Sequence, residues 1–193
     1  MKSSGAVLIA LSLMLAVCLP LTARADFPVY KAAGRDRNPA VAYNSQSHEY
    51  LVVWIQSEPA AMGPLMGQRL SESGSALGSA FTIESYVSGT ASVAYNAAQN
   101  EFLVAYEYGI APDIGISGQR LSASGTETGS RITLMAIGKQ PKLLYNSLSG
   151  NDLLVALNAD LYSRKIGADG QPLAAAQNIT NDPSVSYAKY AVA

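Results

Sequence analysis

One motif returns at near-regular intervals along this chain, and that repetition limits its possible folds more than any other property. Val41-Ala42-Tyr43-Asn44 comes back as Val93-Ala94-Tyr95-Asn96, then altered as Leu143-Leu144-Tyr145-Asn146 and Val185-Ser186-Tyr187-Ala188. The tyrosines stand 52, 50 and 42 residues apart. An apolar run starts seven residues after each of the first two: Tyr50-Leu51-Val52-Val53-Trp54 and Phe102-Leu103-Val104-Ala105-Tyr106. In the third unit, Leu153-Leu154-Val155-Ala156-Leu157 follows one residue later. Gly67-Gln68-Arg69-Leu70 is repeated as Gly118-Gln119-Arg120-Leu121 and degenerates to Ser163-Arg164-Lys165-Ile166. Gly74, Gly125 and Gly170 each lie four residues beyond the last residue of these segments, and a short β-prone piece closes each unit at Phe81-Thr82-Ile83, Arg131-Ile132-Thr133-Leu134 and Asn178-Ile179-Thr180. Self-similarity at this period signals a repeat architecture.

Each recurring element reads as a strand, being short, rich in Val, Ile, Leu, Tyr and Phe, and bounded by Asn, Ser, Gly and Pro. The polar links such as Ser45-Gln46-Ser47-His48 suit hairpins, and Gly74, Gly125 and Gly170 supply positive φ in tight turns. The second strand of each unit is apolar at consecutive positions, which predicts cover on both of its faces. The chain after residue 26 has no helical period. It is therefore expected to be all-β: three four-stranded antiparallel blades over about 38–85, 90–135 and 140–181, with an incomplete fourth over 182–193. A β-sandwich, a β-solenoid and an outer-membrane barrel are the competing architectures. The barrel is disfavoured because its strands would be long and alternating.

The pattern Tyr43-Asn44, Tyr50-Leu51-Val52-Val53-Trp54, Gly67-Gln68-Arg69-Leu70, Gly74 resembles a tandem repeat of bacterial secreted or surface proteins of β-propeller type. It covers about residues 38–188. The resemblance implies architecture and is nearly silent about activity; such proteins usually carry six or more copies. A ring needs at least four blades, so three units and a stub imply a truncated propeller, a ring completed by self-association, or an open arc.

The N-terminus reads as an address. Lys2 precedes a run of 16 apolar-rich residues, Ala6 to Leu21, and Thr22-Ala23-Arg24-Ala25 has the small-x-small pattern of signal cleavage. Residues 1–25 are expected to be a signal peptide, leaving 26–193 as an exported domain without a membrane span. Cys18 sits in a poor lipoprotein box, because Val17 is too large for the position before it. With one cysteine there is no disulfide framework, and a net charge of -1 offers no basis for nucleic-acid binding.

The chemistry-bearing residues are sparse. His48 is the single histidine and lies in a hairpin loop, where solvation is its ordinary state. The sequence holds no zinc ligand set, nucleophile elbow or phosphate-cradling loop. Glu49, Glu101 and Asp152 read as corresponding positions, which marks a repeat-level role for them. Arg69, Arg120 and Lys165 read as partners of an acid or carbonyl between blades. Trp54, Tyr106 and Leu157 also read as one position, drifting from aromatic to aliphatic as core packing tolerates. Tyr43, Tyr95 and Tyr145, with Gly74, Gly125 and Gly170, are assigned structural roles.

Unit-specific sequence concentrates in the loops Gln56–Met66 and Glu107–Ser117, where recognition usually resides in repeat arrays. Met62, Met66, Tyr108 and Asp113 are the candidate binding residues. The matching stretch Asn158 to Tyr162 is nearly absent. The sequence thus reads as an exported, non-catalytic binding or structural module, needing no cofactor or metal, for a protein or carbohydrate ligand. A propeller-type glycosidase or lyase, or a gene remnant without independent function, is the alternative.

Overall fold

A computed structural model describes residues 35–57 and 62–181. Residues 1–25, expected to be a signal peptide, with Cys18 among them, and residues 182–193, expected to begin a fourth unit, lie outside the described residues. Among the described residues, twelve strands form three separate antiparallel sheets, each a four-stranded meander. The first blade comprises β1 (Arg35–Asn44), β2 (Glu49–Ser57), β3 (Gly63–Ser71) and β4 (Ala76–Val87). The second comprises β5 (Ala91–Asn96), β6 (Glu101–Tyr108), β7 (Gly115–Ser122) and β8 (Glu127–Met135). The third comprises β9 (Lys139–Asn146), β10 (Asn151–Asn158), β11 (Asp160–Ile166) and the two-residue β12 (Gln177–Asn178). Among the described residues there is no helix, so none is long and apolar enough to cross a membrane.

The Tyr-Asn motif makes the first turn of every blade. Asn44 Oδ1 accepts the backbone N–H groups of Gln46 and Ser47 at 2.9 and 3.1 Å. Asn96 does the same for Ala98 and Gln99, and Asn146 for Leu148 and Ser149. This side-chain mimic of a backbone turn is what asparagine offers and most residues do not. The turn closes through a left-handed residue, which is His48 (φ 55°), Asn100 (φ 53°) or Gly150 (φ 68°).

Blades stack face to face, with β1 against β5 and β5 against β9. Leu51, Val53 and Ile55 of β2 pack onto Val93, Tyr95, Phe102 and Val104 of the second blade. The alternate residues of that blade, Ala94, Leu103 and Ala105, face Leu143, Leu154 and Ala156 of the third. β6 is therefore covered on both faces, which is why its sequence is continuously apolar rather than alternating. Two hydrophobic layers between three sheets follow from one pattern.

Glycine at the β3–β4-type turns serves two purposes. Gly125 has φ 86°, and a Cβ there would lie 2.7 Å from the Phe81 ring of the preceding blade. Gly170 has φ 78°, and its Cβ would meet Arg120 at 2.9 Å. Each turn thus lies on the fourth strand or the ion pair of the blade before it, where no larger residue fits.

The cross-strand register corrects one alignment. Asp152 pairs with Tyr145 as Phe102 pairs with Tyr95 and Tyr50 with Tyr43. Asn151, not Asp152, is therefore the counterpart of Glu49 and Glu101. Ala156, not Leu157, stands where Trp54 and Tyr106 stand, since Ala156, Tyr106 and Trp54 face Tyr162, Ser117 and Met66. Matching the apolar letters of the runs slipped the third unit by one residue, and a slip of one reverses every face assignment.

Candidate functional site

Most of the polar residues singled out by the repeat hold the blades together. Arg69 binds Glu49 through Nε and Nη2 at 3.1 and 2.6 Å, and Arg120 binds Glu101 through Nε at 2.9 Å. These pairs lie diagonally across the second and third strands of one blade, not between blades as the sequence suggested. Gln68 and Gln119, buried beside them, donate to Arg69 O and Arg120 O and reach the carbonyls of Gly78 and Gly129. They bridge the register shifts in β3–β4 and β7–β8 and so satisfy carbonyls that the ladder leaves free. In the third blade Arg164 takes this role, donating to Ala174 O and to Leu134 O of the second blade at 2.6 Å each. His48 belongs to the same class: its Nδ1 lies 2.8 Å from Tyr43 Oη, as Asn100 Oδ1 lies 2.8 Å from Tyr95 Oη.

Two carboxylates depart from the repeat. Glu107 is buried where Ile55 and Leu157 stand in the other blades, and its Oε1 accepts Thr90 N, Thr90 Oγ1 and Gln140 N at 3.1, 2.8 and 3.0 Å. It fastens the start of the second blade to β9 of the third. Asp152 is buried at the same seam but at its opposite end, and among the described residues Oδ1 receives no hydrogen bond. Burial pushes its carboxyl up to about 7, because the charged form loses solvation without gaining a partner.

The candidate binding residues do not converge on one point. Met66 is 8% exposed in β3, opposite Trp54, with Thr82 Oγ1 3.6 Å from its sulfur. It is a core residue and is withdrawn from the binding set, because its side chain points into packed protein. Tyr108 lies against the core between the first two blades, and Met62 lies beside Tyr86 of the first. Tyr86 Oη donates to Met62 Sδ, and the Arg131 guanidinium lies 3.8 Å above the Tyr108 ring. Glu84 joins the group, accepting Tyr106 Oη at 3.2 Å and Arg131 Nη1 at 3.4 Å. Burial and then Glu84 push the Tyr106 hydroxyl well above its ordinary value, so it is fixed as a donor. Asp113 is exposed on the β6–β7 connection.

On the same rim, the seam between blades two and three carries an open recess of about 350 Å³, lined by Pro112, Ile114, Ile137, Lys139, Leu157 and Asn158. Its origin is a mismatch of loop lengths. The connection Gly109–Ile114 is folded on itself, with Asp113 N donating to Ile110 O and Ile114 N to Pro112 O, and it stands up from the second blade. The third blade turns through Ala159 alone, at φ 59°. A tall loop beside a one-residue turn leaves a notch. Ile137 is 51% exposed at its edge. Sequence reasoning missed Ile137, Lys139 and Asn158; the signal was the missing loop of the third unit, since what is absent there creates the space.

No family model and no curated protein matches this chain. A solved structure described as "Crystal structure of the eukaryotic initiation factor" is similar over 75% of this chain and 32% of that one, with 11% identity and a TM-score of 0.45. The chain thus spans about a third of that protein's length, and the likeness carries no argument about function.

Proposed function

We propose that this chain is an exported, non-catalytic blade-repeat protein, akin to the bacterial secreted propeller repeats, that recognises a protein or carbohydrate ligand at the rim bearing the second-to-third-strand loops. The observation that carries this reading is the recess between blades two and three. It falls within the size range of ligand sites, roughly 300–1,000 Å³, and is shaped by the tall Gly109–Ile114 connection beside the one-residue turn at Ala159. The exposed Tyr86 ring and the Arg131 guanidinium stacked on Tyr108 extend the same rim with surface of the kind that stacks on sugars and anchors peptides.

Glycan and peptide arrays probed with the purified chain and with Ile137→Asp and Lys139→Glu test it. Binding that both substitutions weaken at least tenfold supports the recess. A ligand whose binding neither substitution changes overturns it, and turnover of a polysaccharide by the chain would favour the glycosidase or lyase alternative.

A further inference from the structure

The outward face of the first blade duplicates a face that the second blade already uses for docking. The second blade packs onto the first through Val93, Tyr95, Phe102 and Val104. By register, Val41, Tyr43, Tyr50 and Val52 are their counterparts, on the side of the first blade turned away from the second. The duplication extends to geometry. The Tyr43 and Tyr50 rings lie 5.0 Å apart at 45°, and those of Tyr95 and Phe102 lie 5.1 Å apart at 53°. Tyr43 is held by His48 as Tyr95 is held by Asn100. The same apparatus is buried in one blade and open in the other, with Val41 59% and Tyr43 38% exposed. Trp54 on that face is already covered, so the open part is the half around β1.

The far face of the third blade has the complementary character. Leu51 and Val53 of the first blade, and Leu103 and Ala105 of the second, are the residues that pack onto the following blade. Their register counterparts in the third blade are Leu153 and Val155, with Leu144 beside Leu153 across the ladder. Leu144 is 40% exposed, whereas Val155 on that face is already covered, so the open part is the half around β9. The chain thus carries an acceptor face at its first blade and a donor face at its third, each continuing an interface that it already makes twice internally.

We propose that a second copy of this chain docks its third-blade face onto the first-blade face, so that the blade stack continues across the contact. Such a head-to-tail joint is heterologous, using two different surfaces, and it closes into a ring or propagates according to its rotation. The occupant is a copy of this chain because the acceptor residues match the internal seam position by position.

The purified chain and its Val41→Glu and Leu144→Glu variants, analysed by size-exclusion chromatography with light scattering, test this. Both substitutions fall on exposed side chains, and circular dichroism verifies that the blades persist. The chain should form a dimer or larger species, and each variant alone should be a monomer. Mixed in equal amounts, the two variants should give a dimer and nothing larger, because one intact donor and one intact acceptor face remain. A chain that is monomeric at 100 μM (roughly the scale at which weak interfaces associate) overturns the proposal in favour of faces covered by the chain's own segments. Loss of association in Val41→Glu but not in Leu144→Glu overturns it in favour of a symmetric contact.

Discussion

Asp152 faces Tyr145 across the β9–β10 ladder, in the place where the other two blades set an aromatic ring against the corresponding tyrosine, Tyr43 or Tyr95. A carboxyl thus occupies a core position at the seam between blades two and three, beside the Glu101–Arg120 pair and Gly170. The exchange of ring for carboxyl makes this seam sensitive to protons.

The sign follows from the raised carboxyl. Folded Asp152 titrates at about 7 and the unfolded chain at 3.8, so between these values the folded state holds the proton more tightly. Its contribution is fully present below about pH 4, declines as pH rises towards 7, and is gone above that. Thermal unfolding followed by circular dichroism should therefore show a Tm that falls from pH 5 to pH 8, with a total effect on the order of 3 kcal/mol. Asp152→Asn should flatten the profile. Parallel profiles for the two proteins would show that the carboxyl is not held neutral.

Glu107 should be the costlier acid to remove. Glu107→Ala removes the carboxylate that accepts Thr90 N and Gln140 N in a buried seam, at about 1–3 kcal/mol for each hydrogen bond lost there. Glu107→Gln keeps an oxygen in place and should lose less than half as much. Urea denaturation of both variants measures the difference, and equal losses would refute the bridging role.

His48 should be replaceable. Asn100 and Gly150 fill its left-handed position in the other blades, so His48→Asn should change stability by no more than about 0.5 kcal/mol. His48→Val should cost on the order of 1–3 kcal/mol, since a β-branched residue resists positive φ. A large loss in His48→Asn would reveal a role for the imidazole that the repeat does not explain.

The ion pairs should contribute little. Arg120 and Glu101 remain about one-fifth exposed, as do Arg69 and Glu49, so a double-mutant cycle on either pair should give less than about 1 kcal/mol of coupling, reduced further by 0.5 M salt. A coupling above 2 kcal/mol would mean that the pairs are far better shielded than their exposure indicates.

Much of this protein could be read from its letters because its repeats are local. The Asn44, Asn96 and Asn146 turns, the positive φ at Gly74, Gly125 and Gly170, and the doubly covered β6 depend on short-range chemistry and on period, which a sequence displays directly. The all-β class and the four-stranded unit follow from the same source. The sequence could not fix the register of the third unit, because Leu153 to Leu157 stays apolar when shifted by one and only pairing with β9 decides it. It could not separate Met66 from Met62, because whether a methionine beside a loop faces solvent or core depends on the strand's phase. The recess and the buried Asp152 exist only where two blades meet, so they depend on distances between residues that no spacing along the chain records.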